Sequence, residues 1–314
     1  MRKRYLLITL VVLSMVSIFV GVKDISPLNI LNLEDQEIQI LALSRIPRLI
    51  SIIVAGIGMS ISGLIMQQIT QNKFVSPTTA TTIDSAKLGI LVALILFSTS
   101  STLIKMLVSF IFALGGSFLF MAVLKKIKYK NAIIIPLLGI MIGNVINSVT
   151  TYFAYRYDLI QNISSWMQGN FSMVIKGRYE LLYISIPLVV IAYLYANKFT
   201  LAGMGEDISV NLGLNYNSVV NLGISIVALI SSIVVITIGQ IPFLGLIVPN
   251  MVTMYHGDNL KKNILPTGLF GAIFLLFCDI LGRLIIYPYE IPISLTVGAI
   301  GSCAFLYLIV RRNA

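Results

Sequence analysis

Few residues of this 314-residue chain could do chemistry, and their types and spacing point to charge placement rather than catalysis. Asp84 and Lys87 stand three positions apart and Asp279 and Arg283 four apart, so each pair would share one face of a helix. Arg45 and Arg48 form a third charged group. The one histidine, His256, cannot build a multi-histidine metal site, and no metal or cofactor is expected. Nothing pairs a nucleophile with a base. Cys278 and Cys303 both lie in apolar stretches and read as small core residues without a disulfide. No G-x-x-x-x-G-K-[ST] run occurs, so the chain does not bind ATP through a P-loop.

These charges are set in an apolar background, with 57% hydrophobic residues and 11% charged. The apolar residues come in blocks of about twenty, the length that crosses a bilayer as a helix. The blocks do not alternate as barrel strands would, and every backbone group in hydrocarbon must be satisfied internally. The expected fold is therefore all-α: a polytopic transmembrane helical bundle forming one domain over 1–314. About ten spans are expected, near 5–22, 47–69, 84–98, 103–124, 133–155, 181–197, 220–238, 243–256, 264–286 and 292–310. The N-terminal Met1-Arg2-Lys3-Arg4 before an apolar block imitates a signal peptide, but no A-x-A-like site follows, which favours an uncleaved first span. With ten spans, Arg2-Lys3-Arg4, the lysines of 125–130, Lys198, Lys261-Lys262 and Arg311-Arg312 fall on one side, the cytoplasmic side, together with both termini. The net charge of +10 then reflects anionic lipid and not nucleic acid.

Gly56 and Ser60, and Gly139 and Gly143, are small pairs at helical spacing that predict close helix contacts. Pro47 and Pro266 fall where helices are expected to begin, and Pro136, Pro187 and Pro249 could bend theirs. Trp166, in an outer loop, suits the bilayer interface. The cytoplasmic stretch 199–220 stands apart. Gly205 precedes a short helix with Glu206 and Asp207 in its first turn, and Gly213 stops it as a C′ glycine would. A second short helix is expected to follow. This pair, about 201–219, is either a rigid knob for a soluble partner or an ordinary interfacial helix pair.

Four separated motifs carry a resemblance. They are Arg45-Ile-Pro-Arg48 leading into Gly56–Gln67 and Asn72; Gly205-Glu206 through Leu212-Gly213-Leu214; Gly239-Gln240-Ile241-Pro242-Phe243-Leu244-Gly245 through Pro249-Asn250; and Leu265-Pro266 with Asp279, Arg283 and Glu290-Ile291-Pro292-Ile293. In that order they resemble the FecCD permeases of iron-siderophore and cobalamin ABC importers over nearly the whole chain. The segment Val75–Thr79 with Thr81–Gly89 is similar to the subgroup importing catechol-type siderophores such as petrobactin, while Ser294 stands where glycine is usual.

The resemblance implies a bacterial plasma-membrane subunit that translocates a ferric siderophore and is no enzyme itself. Its implied partners are two cytoplasmic ATPase subunits, an external substrate-binding lipoprotein or periplasmic protein, and a second permease that is either another copy or, as in many of those systems, a different chain. It implies that Arg45, Arg48 and Arg283 dock carboxylates of the binding protein, against the simpler role of snorkelling at the interface. An Asp279–Arg283 pair would compete with that docking. Gly205, Glu206, Leu212 and Gly213 would couple to the ATPase. Asp84 and Lys87 are either a mutually neutralising pair at the cytoplasmic interface or line the path near an inner gate, where Asn131 and Ala132 also match. The competing functions are an ion-coupled secondary transporter, which calls for mid-span carboxylates, and a membrane-embedded enzyme, which calls for a polar catalytic cluster.

Overall fold

A computed structural model describes residues 3–21, 35–127, 133–174, 177 and 179–313. Along the chain the helices are α1 (Lys3–Phe19), α2 (Asp35–Ile40), α3 (Ile46–Ile69), α4 (Thr82–Leu96), α5 (Thr102–Lys126), α6 (Ile134–Arg156) and α7 (Ile160–Met167). There follow α8 (Ser185–Leu194), α9 (Ala196–Ala202), α10 (Glu206–Asn211), α11 (Tyr216–Thr237), α12 (Leu244–His256), α13 (Leu260–Leu284) and α14 (Ile293–Asn313). Among the described residues there is no strand, only an isolated bridge between Gln168 and Gln240.

Among the described residues a helix falls on each of the ten apolar blocks, and five are long and apolar enough to cross a membrane alone, or six if the pair bent by 62° at Tyr195 is one span. The shortfall has a physical cause. α4 has 15 residues and α12 has 13, so they are only about 22 and 20 Å long against a hydrocarbon layer of about 30 Å. Each starts inside the protein. Thr81 and Phe243, the residues before them, both adopt left-handed backbone at φ 61° and 60°. The approach to α4 is buried, with Val75, Ser76, Ala80, Thr81 and Thr82 all fully covered. Irregular backbone is tolerated there because side chains satisfy it. Asn72 Oδ1 accepts from Phe74 N at 2.8 Å, Thr79 Oγ1 accepts from Ser76 N at 2.9 Å, and Thr81 Oγ1 donates to Gly116 O at 2.9 Å.

Pro47 stands in the first turn of α3, as expected, but the chain is already helical before it. α2 and α3 join through a π-helical turn, Leu41–Arg45, into one helix from Asp35 to Ile69. The wide turn lies just where the missing proline N–H would break the regular ladder. The core is built on α3, α11 and α13. In the most apolar windows 78% of α11 is buried, against 22% of α6. The expected small pairs do make close contacts. A Cβ on Gly56 would lie 2.7 Å from Ala272 Cα, and one on Gly139 would lie 1.9 Å from Thr79 O.

Among the described glycines the closest approach to another backbone is α3 on α12, where a Cβ on Gly63 would sit 1.8 Å from Gly245 O. Backbone cannot yield as a flexible side chain can. Gly63→Ala is expected to destabilise the protein by about 1–3 kcal/mol, read as a lowered unfolding midpoint in detergent. Gly115→Ala, where nothing lies within 4 Å, is expected to leave that midpoint unchanged or raise it slightly.

Candidate functional site

Three groups of candidate side chains emerge, at the end of the bundle where α1 stops, in the interior, and at the opposite end around α10. Where α1 stops, its last carbonyls are left without helical partners. Arg283 donates to Ser17 O at 2.9 Å and Val20 O at 2.7 Å, and Arg45 donates to Ile18 O at 2.6 Å and Phe19 O at 3.2 Å. Two cations thus cap the negative end of the α1 dipole. Asp279 lies between Arg283, at 2.6 Å, and Arg48, at 2.8 Å. Arg48 also reaches Glu290 at 2.8 Å, and Glu290 accepts from the Ser172 hydroxyl. One polar chain therefore ties α1, α3, α13, the loop before α14 and the turn at Phe171–Met173.

The three arginines expected to dock a partner's carboxylates have their guanidinium groups drawn into the chain. Arg45 is 8% exposed and Arg283 5%, and all three guanidinium groups are engaged inside the chain. The cause is the open end of α1, which needs donors more than the exterior does. Sequence reasoning anticipated the Asp279–Arg283 pair from its spacing. It missed the α1 carbonyls, which lie 266 residues from Arg283 in the chain.

In the interior, Asp84 and Lys87 lie on the first turns of α4. A Cβ on Gly143 would lie 2.4 Å from Asp84 Oδ2, and Lys87 Nζ donates to Asn147 Oδ1 at 2.7 Å. Gly143 and Asn147 occupy the middle of α6. Among the described residues no ion pair joins Asp84 to Lys87. Asn147 was not anticipated, since one amide inside an apolar block gives little signal. Asn131 and Ala132 lie outside the described residues.

At the opposite end, Gly205 opens α10 at φ 107° and Gly213 closes it at φ 79°. Leu214 N donates to Ser209 O and Gly213 N to Val210 O, both at 2.9 Å, which is the Schellman closure expected of a C′ glycine. The buried Ser209 hydroxyl bonds back to Leu201 O and Gly205 O, pinning α10 to the end of α9. Glu206 is exposed, and Ile208, Val210 and Leu212 are 48%, 55% and 60% exposed. The second short helix expected after Gly213 is absent, because Asn215 caps α11 at Ser218 N and that long helix starts at once. The short partner of α10 is α9, on its other side. The knob also meets α3: a Cβ on Gly203 would fall 2.0 Å from Gln68 Nε2.

Helices that stop and restart within an apolar bundle characterise proteins that move solutes across membranes, because irregular backbone survives there only beside protein or a wet cavity. Residues 8–311 match the model of the FecCD transport family, and the chain belongs to that family. It is a multi-pass protein of the plasma membrane. It is similar to the petrobactin import system permease protein YclN of Bacillus subtilis (strain 168), 62% identical over 314 residues, which is all of this chain and 99% of that protein. It is also similar to the petrobactin import system permease protein FatD of Bacillus anthracis, 36% identical over 98% of this chain and 90% of that protein. The fold is shared with a metal-chelate type ABC transporter solved in an inward-facing conformation, with TM-score 0.84 at 21% identity over 98% of both chains.

The arginine cluster sets a measurable pH dependence. Burial pushes the Glu290 carboxyl up, but Arg48 and the hydrogen bonds from Ser172 and Arg48 more than offset this, leaving it below its ordinary 4.5. Ionised Glu290 therefore contributes its stability in full above about pH 4.5, and that contribution is lost as the pH falls through the lower folded value. Glu290→Gln is expected to lower the unfolding midpoint at pH 7 and to flatten its fall below pH 4.5. Asp279→Asn should cost more, about 3–5 kcal/mol, because it strips the shared partner from two covered arginines. Detergent unfolding curves across pH check both outcomes.

Proposed function

We propose that this chain is the permease subunit of an ABC importer for a ferric siderophore, of the catechol type that its petrobactin-importing relatives handle. The observation that carries the reading is full-length similarity to such permeases joined to an ordered, exposed apolar knob between α9 and α11. The chain holds no P-loop of its own, so the power stroke belongs to separate ATPase subunits. Ile208, Val210 and Leu212 seat in an ATPase cleft, Glu206 pairs at its rim, and Gly205 and Gly213 set the two bends that present them. Closure of the ATPases pushes α10, and through α9 and the Gln68 contact it moves α3. The bundle then exchanges outward-open and inward-open arrangements by differential contacts, without covalent chemistry.

In this reading residues 1–314 form one transmembrane domain of ten spans, both termini cytoplasmic, with α4 and α12 crossing as short helices extended by their buried approaches. The weakly buried α6 faces a second permease, which we take to be a different chain. A binding protein delivers substrate at the end where α1 closes and α3 begins. The arginine cluster serves that docking from beneath, holding the helix ends in register, with Arg48 and Glu290 nearest the surface at 13% and 25% side-chain exposure. Asp279 is committed to two arginines, which leaves Asp84 as the described carboxylate of α4 and α13 that an ion-coupled carrier could use, and the energy source of uptake separates the two readings.

The test is uptake of ferric siderophore into proteoliposomes holding the full assembly with its binding protein. Uptake is expected to require internal ATP and to ignore a proton gradient; the reverse would favour the carrier. Leu212→Asp is expected to cut ATP-driven uptake at least about tenfold, as loss of a buried apolar anchor does at an interface, while leaving the unfolding midpoint unchanged. In the same assembly Arg48→Glu is expected to weaken docking of the binding protein, read as a raised dissociation constant at low salt.

A further inference from the structure

Lys87 has no part in the function so far described. Its ammonium lies at mid-depth beside the centre of α6, where an isolated charge is costly unless it meets a partner or water. Asn147 gives it one acceptor at 2.7 Å, which neutralises nothing. Beyond that bond, Lys87 forms part of the wall of an open cavity of about 420 Å³. Ser164, Gln168, Gln240 and Ser294 supply the other polar groups of that wall. They come from three chain segments held together by backbone bonds, Gln240 N to Met167 O at 3.0 Å and Ser294 N to Gly169 O at 3.3 Å. The polar wall is therefore built by the fold and does not depend on chance side-chain positions.

The surface next to this cavity is also polar. α6 exposes Asn144, Ser148 and Thr151, with Asn147 between them, along one stripe of the helix. Ser148 and Thr151 return their hydroxyls to Asn144 O and Asn147 O at 2.8 Å, so the exposed Asn144 amide is the group of this stripe that looks for a polar partner beyond its helix. A cation, a set of amide and hydroxyl donors and a polar stripe thus border one opening.

We propose that Lys87, positioned by Asn147, is the contact for negative charge in the translocation path, and that its ligand is an anionic ferric chelate. This rests on the importer reading above. Deprotonated catecholate and carboxylate oxygens bring more negative charge than one ferric ion cancels, so the chelate that enters the cavity is an anion. Lys87 offers it a compact charge with rotatable donors, suited to a contact that forms and breaks during passage. The surrounding amides and hydroxyls complete the replacement of lost water. A single cation gives an interaction favourable enough for entry and weak enough for release. Asp84, one turn earlier on α4, is the acidic group nearest in sequence, and it limits how strongly the site holds an anion.

The experiment measures ATP-driven uptake of a ferric catecholate chelate by the complete assembly in proteoliposomes, with Lys87→Met, Lys87→Arg and the double variant Asp84→Asn/Lys87→Met. Lys87→Met is expected to reduce the rate at saturating binding protein about tenfold, the scale of one charge-assisted bond. Lys87→Arg should keep the rate within about twofold, because it preserves the charge. The double variant separates this role from simple neutralisation of Asp84. An anion contact leaves the double variant as slow as Lys87→Met, whereas a structural charge pair restores it toward the wild-type rate. Restoration, or a Lys87→Met rate within about twofold of wild type, overturns the proposal. Failure of the wild-type assembly to take up the chelate overturns the importer reading itself and removes the ground on which Lys87 was assigned.

Discussion

Asp279 stands between two arginines at the end of the bundle where α1 stops, and the arrangement of the surrounding helices depends on it. A carboxylate exposed to about 3% bears a large desolvation cost, which only close partners offset. Its partners come from its own helix and from α3, and each of these arginines does a second job. Arg283 closes the carbonyl end of α1, and Arg48 holds Glu290 in the loop before α14. Arg45 adds a further cap on α1. Four segments distant in sequence are thereby fixed at one end, while the opposite end carries the exposed knob.

The same rule explains the interior. Hydrocarbon offers no water, so a chain that leaves helical geometry must satisfy its own backbone. The approach to α4 does so with side chains, Asn72, Thr79 and Thr81, and the approach to α12 with backbone, Gln240 N donating to Met167 O, while Gln67 and Asn250 donate to Leu246 O in the first turn of α12. Asn250 Nδ2 also donates to Lys73 O at 2.7 Å, and the Lys73–Asp258 ion pair joins the same two regions. The break before α4 is therefore tied to the middle of α12 and to the turn that follows it. Glycines at 63 and 245 let α3 and α12 approach closely.

What was legible in the sequence follows from how local each signal is. Apolar blocks report helices directly, and α10 was legible because Gly205 and Gly213 mark left-handed bends that few other residues adopt. Gly139 and Gly143 announced close contact, though not with Thr79 and Asp84. The buried run before α4 was not legible, since Ser76, Pro77 and Thr78 have the composition of an exposed loop and only tertiary partners reveal their depth. That depth sets Asp84 and Lys87 beside Gly143 and Asn147 in the middle of α6. The arginines illustrate the same limit. Their position at one end of the bundle could be read from topology, but the helix terminus they cap is remote in sequence.

The central claim is that separate ATPase subunits drive this chain by gripping α10. A cysteine placed at Leu212, with Cys303 replaced by serine so that only the buried Cys278 remains, tests it most directly in the complete assembly. The account expects short bifunctional reagents to join this cysteine to the ATPase subunit, and the joined assembly to lose ATP-driven uptake. A cysteine there that never reaches the ATPase while uptake proceeds at the wild-type rate would contradict it.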